Sequence, residues 1–372
     1  MDNFSGEQPH NFMPVETKKY YRLREIMDKY FIVENIGFKG DSIKFSYSSM
    51  TGARRAAAYE FAAIGFKLSM AMGKDGRGIG SLEVFKGPTA ETRRKERIKA
   101  ALLFAATLVT TTFAGWVFSS SMYEAGHTRG IWVGAFSFSL SLLLILGAHE
   151  SGHYFASLRY GIDASPPYFI PFPSIIGTMG AVIRIRSPIP DKDAAVRLGI
   201  SGPLAGFIVA VPFFIAGALM SRPVPASEFQ GDIIMFGDSI FTSVIGGLLV
   251  KVPEGQHLLS HPMAIAAWVG IFVTGLNLIP VGQFDGGHLA RALLGDKRFR
   301  YLCWALIVGM AVMGRFWYGW YVWSLIGYLI TIRGVPPTMN ESKPVSASSK
   351  AWAAVGLILF ILCFMPVPIK II

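Results

Sequence analysis

Cysteine is nearly missing from this chain: its 372 residues hold two, Cys303 and Cys363. They sit far apart in apolar runs and form no CxxC pair. That excludes a thiolate metal cluster and a disulfide framework and leaves both as packing residues. Charge is scarce as well. Only 16% of the residues are Asp, Glu, Lys or Arg, where soluble domains carry about a quarter, so an ordinary water-soluble composition is excluded. Acidic residues are the scarcer sign, 24 against 35 basic, for a net charge of +11. Residues Met1 to Lys19 contain Asp2, Glu7 and Glu16 but no apolar core. They read as neither a signal peptide nor a transit peptide, and the first membrane segment is expected to act as its own insertion signal.

What the chain has instead is apolar surface: 52% hydrophobic residues and a mean hydropathy of +0.44. The basic residues cluster beside the apolar runs, which is how cytoplasmic loops orient a membrane protein, so the positive charge does not point to nucleic acid. Thr92-Arg93-Arg94-Lys95-Glu96-Arg97-Ile98-Lys99 stands directly before an apolar segment at about 100–120, which puts this run and the N-terminal domain in the cytoplasm. Further spans are expected at 131–158, 197–220 and 263–281, in a hairpin at 301–332 around Gly314-Arg315, and at 351–369. The loops 121–130 and 221–262 then lie outside. Arg159, Arg184, Arg186, Lys192 and Arg197, and later Arg291, Lys297, Arg298 and Arg300, fall on the cytoplasmic face, as the charge rule demands.

The expected fold class is a polytopic α-helical membrane protein with six or seven spans, a membrane-associated β-hairpin or small sheet, and a small N-terminal soluble α/β domain. Its expected place is as an integral protein of a prokaryotic cytoplasmic membrane. Residues 1–20 read as a polar tail. In 21–90, a helix at 21–30, strands at Phe31–Phe38 and Ser42–Tyr47, a helix from Ala53 to Met72 and a strand at Ser81–Phe85 make a domain small enough to be marginally stable. It carries no cluster of catalytic residue types and reads as a structural cap. The membrane core is 95–333, followed by a Pro/Ser/Lys linker at 334–350 and a C-terminal membrane helix at 351–372.

The region 163–193 fits no span. Ser165-Pro166-Pro167-Tyr168-Phe169-Ile170-Pro171-Phe172-Pro173 excludes a helix, because proline lacks the amide donor and restricts its predecessor. Ala181-Val182-Ile183-Arg184-Ile185-Arg186 alternates like a strand. Such backbone near a membrane is tolerated only when it packs in protein or lines a cavity. An exposed strand there can pair with an extended peptide, main chain to main chain.

The stretch from Phe136 to Ala148 carries no charge, and His149-Glu150-Ser151-Gly152-His153 follows it directly. On a helix the two imidazoles share a face one turn apart and can hold one metal ion, with Glu150 beside them to take a proton from a water on the metal. Two histidines on zinc call for a third protein ligand. The strongest candidate is Asp285, in Asn277-Leu278-Ile279-Pro280-Val281-Gly282-Gln283-Phe284-Asp285-Gly286-Gly287-His288, since it ends an apolar span in the same leaflet half and an intramembrane carboxylate needs a partner. The competing reading makes it a helix N-cap.

Together, His149-Glu150-Ser151-Gly152-His153 and the later Asn277, Pro280 and Asp285-Gly286-Gly287 resemble the site-2 protease family of intramembrane zinc metalloproteases. Gly177-Thr178-Met179-Gly180-Ala181 and Ser201-Gly202-Pro203-Leu204-Ala205-Gly206-Phe207 agree. The form Gly282-Gln283-Phe284-Asp285-Gly286-Gly287-His288 looks most like the plastid and cyanobacterial branch, the gravitropism-deficient-and-yellow-green-like proteases without a PDZ domain. The loop 221–262 is too short to hold such a domain. The resemblance covers residues 95–300. It implies a buried active site on the cytoplasmic side, one catalytic Zn2+ held by His149, His153 and Asp285, and Glu150 as general base. Other members carry Asn where this chain has Ala181. Asn277 is then a candidate for stabilising the reacting carbonyl, or a helix-packing amide.

These expectations describe a zinc metalloendopeptidase for regulated intramembrane proteolysis. Its partners are a transmembrane-helix protein substrate and the lipid bilayer, with no nucleic acid and no signal of oligomeric state. A substrate helix hides its peptide bonds in hydrogen bonds and must unwind before attack. Gly177, Gly180, Ile183 and Ile185 in the strand-like 177–186 are the candidates to hold the extended form. His288, three residues beyond Asp285, is a candidate to touch the ligands from outside. His10, His127, His257 and His261 read as background, and Gly202 and Gly206 as sites of close helix approach. Two alternatives stand beside this reading. One is a proteolytically silent relative that binds membrane proteins, against which the intact Glu150 argues. The other is a metal transporter, which would more often show internal repeats, and none is visible.

Overall fold

The structure is a computed structural model and describes residues 17–39, 42–50, 57, 60–61, 66–72, 78–84, 90–124, 130–225, 234–335, 338 and 343–371. It divides into two compact units. One is Met1–Arg93 with Ser187–Asp191 and Pro336–Ser342, and the other is Arg94–Arg186 with Lys192–Val335 and Lys343–Ile372.

In the first unit, helix α1 (Thr17–Tyr30) leads into strands β1 (Phe31–Lys39), β2 (Ser42–Met50), β3 (Phe66–Met72) and β4 (Gly78–Val84). The sheet order is β1-β2-β4-β3, and each neighbouring pair is antiparallel. The expected helix from Ala53 to Met72 is corrected at its end, because Phe66–Met72 pairs along β4 in register Phe66↔Val84 to Met72↔Gly78. Alternation of Phe66, Leu68 and Met70 on one face, with Phe66 buried, satisfies a sheet's period of two as well as a helix's apolar stripe. Ala57, Glu60 and Phe61 are helical, and the rest of that expected helix lies outside the described residues. The polar tail lies outside them too, apart from its last residues in α1.

Across the β2–β4 pair, Phe45 faces Gly80 and Tyr47 faces Gly78. Each ring lies where a glycine Cβ would stand, 2.1 Å and 2.0 Å from the nearest ring atom, so aromatics fill what the glycines leave open. Phe31 meets both rings edge-on with centroids 5.1 Å away. Phe45→Ala is expected to destabilise this unit by about 3–5 kcal/mol, a large share of what so small a sheet can muster. Limited proteolysis against temperature, on the full chain, measures it as an earlier loss of the fragment 17–84.

The second unit is mainly helical: α2 (Ala90–Glu124), α3 (Ile131–Arg159), α4 (Lys192–Met220), α5 (Ile240–Leu249), α6 (Pro262–Asn277), α7 (Asp285–Met313), α8 (Gly319–Arg333) and α9 (Ala347–Cys363). Among the described residues, three helices are long and apolar enough to cross a membrane: Ala90–Ser120 within α2, then α3 and α4. At 1.5 Å per residue they reach about 43–47 Å, beyond a hydrocarbon core of about 30 Å. The other expected spans also fall on helices, but α6 has 16 residues and reaches about 24 Å, short of that thickness. The outer faces stay apolar. Val109 on α2 is 69% exposed and Val133 on α3 is 70% exposed, which suits lipid contact and not water.

The core of this unit lies where α3, α4 and α6 meet, with Phe138, Leu142, Ile145, Ala210, Phe214, Ile265, Trp268 and Ile271 buried together. Glycines set how closely the helices approach. A Cβ on Gly152 would lie 2.3 Å from the Ser201 carbonyl oxygen, so α3 and α4 touch backbone to backbone there. Pro203 and Pro212 stand inside α4, where a bilayer helix tolerates them because neighbours meet the freed carbonyls.

Between α3 and α4 the chain forms a hairpin of β5 (Tyr168–Pro171) and β6 (Thr178–Val182), in register Tyr168↔Val182 and Phe169↔Ala181. The strand expected from Ala181 to Arg186 therefore begins three residues earlier and ends at Val182, followed by an isolated bridge from Ile185 to Ala164. The prolines at 166 and 167 interrupt the ladder between them, having no amide to donate. The loop expected at 221–262 holds β7 (Arg222–Pro225), β8 (Ile234–Phe236), α5 and β9 (Gln256–Leu259). Likewise the expected last span is a helix only to Cys363. Strand β10 (Ile369–Ile371) pairs with β8, an apolar run long enough for a helix but cut by Pro366 and Pro368.

Candidate metal centre

Helix α3 puts His149 and His153 on one face, both buried, with their Nε2 atoms 3.2 Å apart. Asp285 arrives from 132 residues away in sequence, as the first residue of α7. Its Oδ2 stands 3.2 Å from His153 Nε2 and 3.3 Å from His149 Nε2. The N-cap of α7 is Phe284, so Asp285 does not cap the helix and its carboxylate faces the histidines instead.

The approach of α7 depends on a tight reversal after α6. Gly282 takes φ +53°, the left-handed region, at the turn. Gly286 then lies so close to the Leu278 carbonyl that a Cβ would sit 2.0 Å from its oxygen. A larger residue at 286 would push the start of α7, and Asp285 with it, away from α3.

His153 is held in one tautomer. Its Nδ1 lies 2.9 Å from the Leu198 carbonyl oxygen of α4. A carbonyl only accepts, so Nδ1 carries the hydrogen and Nε2 keeps its lone pair toward the other two ligand atoms. Two imidazole lone pairs and a carboxylate oxygen at such separations repel one another unless a cation or proton joins them. For metal–ligand bonds of about 2.0–2.1 Å, the edge of a tetrahedron is about 3.3–3.4 Å. The observed 3.2, 3.2 and 3.3 Å fit three corners of that figure, and two imidazoles with one carboxylate are a donor set that zinc accepts. Among the described residues, His149, His153 and Asp285 form the one such cluster.

The other expected site residues fall into place unevenly. Glu150 is 7% exposed, next to the ligands, and the Ile183 backbone N–H is directed at its carboxylate. Asn277 ends α6 with Nδ2 3.3 Å from His149 Nε2, so its amide belongs to the centre. His288 makes no hydrogen bond to the three ligand residues, and its Cβ lies against Gly199. Gly177, at φ +81°, is wedged against α2, where Thr110 Oγ1 donates to its carbonyl at 2.6 Å. Gly180, at φ +98°, faces open space, and Ile185 is exposed.

Gly202 and Gly206 do serve close packing, and what they pack against is the pair of ligands. A Cβ on Gly202 would lie 2.1 Å from His153 Nε2, and one on Gly206 3.1 Å from His149 Cβ. Their spacing on α4 was visible in sequence, but the face of α3 they meet was not. The Leu198 carbonyl left no signal, since every residue carries one. Gly202→Ala is expected to displace the His153 ring and weaken zinc binding by about 10–100-fold, as loss of an orienting partner does. Competition against a zinc-chelating dye, with Gly247→Ala of α5, where a Cβ meets open space, as the control, measures it.

Three kinds of comparison bear on this arrangement. Residues 137–314 match the sequence profile of Peptidase family M50. The probable zinc metalloprotease EGY1, chloroplastic, of Arabidopsis thaliana is 30% identical over 246 residues, which is 63% of this chain and 43% of that protein. Arabidopsis EGY2, also described as a probable chloroplastic zinc metalloprotease, is 27% identical over 61% of this chain and 40% of its own length. The corresponding EGY3 of Oryza sativa subsp. indica is 27% identical over 71% of this chain and 47% of its own. The chain thus spans less than half the length of these curated relatives. No solved structure matches it significantly.

Proposed function

Residues 137–314 are a Peptidase family M50 domain, and from that premise we propose that this chain is an intramembrane zinc metalloprotease. It hydrolyses peptide bonds within or next to the transmembrane helices of membrane-protein substrates. The observation that carries the reading is the triangle of His149, His153 and Asp285 with Glu150 beside it, set inside a helix whose outer face is apolar. His149 lies 18 residues beyond the start of α3, about 27 Å along its axis, and so near the far boundary of a hydrocarbon core of about 30 Å. The basic residues at 93–99, 184 and 186 place that boundary on the side where positive charge collects.

His149, His153 and Asp285 hold the zinc, which when bound polarises the scissile carbonyl and makes water nucleophilic near neutral pH. Glu150 takes the proton from the attacking water and returns it to the leaving nitrogen. Its burial shields it from bulk water, and the Ile183 N–H is directed at its carboxylate. Asn277 Nδ2, beside His149, is the amide available to the oxygen of the reacting carbonyl as negative charge develops on it.

The substrate must present an extended stretch, and the segment after β6 offers one. The main-chain groups of Arg184 and Arg186 turn to Ser165 and Asp163: Ser165 N–H donates to Arg184 O, and Arg186 N–H to Asp163 O. Strand alternation then turns Ile183 and Ile185 to the opposite edge, the side of Glu150. Pairing of a peptide along that edge brings its backbone beside the metal centre.

The test is cleavage of a purified single-span substrate by the full chain in detergent, with zinc present, removed by chelator and restored. Zinc-dependent cuts inside or at the edge of the span are expected. Cuts confined to water-exposed loops, or none with zinc restored, would overturn the reading.

A further inference from the structure

Arg186 is a largely buried cation between two carboxylates. Its side chain is 13% exposed, with Nη1 3.0 Å from Asp163 Oδ2 and Nη2 2.5 Å from Glu96 Oε2. The three groups come from three segments: Glu96 from the first turns of α2, Asp163 from the connection leaving α3, and Arg186 from the chain leaving β6. The backbone repeats the tie, since the Arg186 N–H donates to the Asp163 carbonyl at 2.9 Å. Between Arg186 and the hairpin lies Ile183, whose N–H is directed at Glu150.

The rest of the hairpin has other anchors on α2. Lys99 Nζ lies 5.8 Å from the centre of the Tyr168 ring, Phe104 and Phe169 meet edge-on with centroids 5.1 Å apart, and Thr110 holds the Gly177 carbonyl. These contacts hold β5, β6 and the turn between them. At the far end the ladder breaks at the prolines and resumes as a single bridge, flanked by hydrogen bonds of Arg184 to Ser165 and of the Arg186 N–H to the Asp163 carbonyl, none of which ties 183–186 to α2. The Arg186 guanidinium, a planar fork that lysine lacks, supplies that tie: it reaches Glu96 of α2 with one nitrogen and Asp163 with the other.

We propose that Arg186, clamped between Asp163 and Glu96, is a positioning residue that sets the 183–186 segment against Glu150. It touches neither substrate nor metal. This rests on the proteolytic reading of Glu150 for its kinetic consequence, but its structural consequence stands apart from that reading. Removing the guanidinium frees Ile183 to drift, and the carboxylate it orients drifts with it. A misplacement of about 1 Å at a reacting group is enough to lower turnover about 100-fold.

The experiment uses the full chain in detergent, with Arg186→Gln, Arg186→Lys and Glu96→Gln. Amide exchange read by mass spectrometry is expected to quicken by about tenfold or more at 163–165 and 183–186 in Arg186→Gln, and to stay unchanged through α3, α4 and α7. Zinc content stays at the wild-type level, because no ligand has moved. With a cleavable substrate, kcat falls by about 10–100-fold while KM holds. Arg186→Lys, which can meet one carboxylate, recovers part of both losses, and Glu96→Gln gives a smaller change of the same pattern.

Unchanged exchange at 183–186 in Arg186→Gln overturns the proposal. So does exchange that rises throughout the unit with loss of zinc, which would make Arg186 a support of the whole fold. Should the wild type cut no substrate, the proteolytic reading fails, and the exchange arm still decides whether Arg186 positions this segment.

Discussion

Glu150→Gln is expected to retain its zinc, bind a single-span substrate and fail to cut it, with turnover lowered by about 100- to 10,000-fold. Glutamine keeps the shape and burial of the side chain and can still meet the Ile183 N–H, but it has no carboxylate to accept a proton. The proposed ligand set is untouched, since the three atoms close enough to share one ion belong to His149, His153 and Asp285. Zinc determination on the purified protein, together with a cleavage time course in detergent, reads both halves of the prediction. Cleavage at the wild-type rate by the zinc-loaded variant would remove Glu150 from the role of base. The same variant suits capture of substrates, because it holds what it does not release as product.

Asp285→Ala is expected to lose zinc. Two imidazoles alone leave the ion short of the three protein ligands that a catalytic site provides. The affinity should drop by more than the 10–100-fold that loss of an orienting partner brings. The chain around Asp285 is built to deliver it: the turn at Gly282, the close pass of Gly286 over Leu278, and Gly199 of α4 within van der Waals reach of the Asp285 carbonyl. Asp285→Asn separates charge from shape, since an amide of the same size can occupy the corner but is a far poorer ligand. Zinc per chain, measured after dialysis against a weak chelator, decides it. Full stoichiometry and wild-type affinity in Asp285→Ala would take Asp285 out of the metal centre.

Where local periodicity is decisive, the residues announced themselves. His149 and His153 meet because four residues carry a helix once round, and α3 contains no proline to disturb it. Strands β1 and β2 followed from β-branched and aromatic alternation between turns, whereas the strand expected at Ser81–Phe85 begins three residues earlier, at Gly78. The stretch 66–72 misled because a short apolar pattern fits either period, and only pairing with β4 settles it as a strand. The last apolar segment misled in a different way. Composition at 364–371 suits a membrane helix, yet Pro366 and Pro368 release the chain to pair with β8, a partner more than 130 residues earlier.

The metal centre divides along the same line. By itself, the amino-acid sequence determined half of it, the two imidazoles and the adjacent carboxylate in an apolar helix. It also named Asp285 as the candidate for the rest, because a charge at the end of an apolar run requires a partner. Tertiary structure alone decided that Asp285 Oδ2 comes within 3.3 Å of both histidines. It also decided that the Leu198 carbonyl sets the tautomer of His153, that Gly202 leaves room for its ring, and that Arg186 draws Asp163 and Glu96 together behind Ile183. The reason is one of range. Helical spacing is written in neighbouring residues, whereas the meeting of α3, α4 and α7 depends on how closely whole helices pack, which no local pattern records.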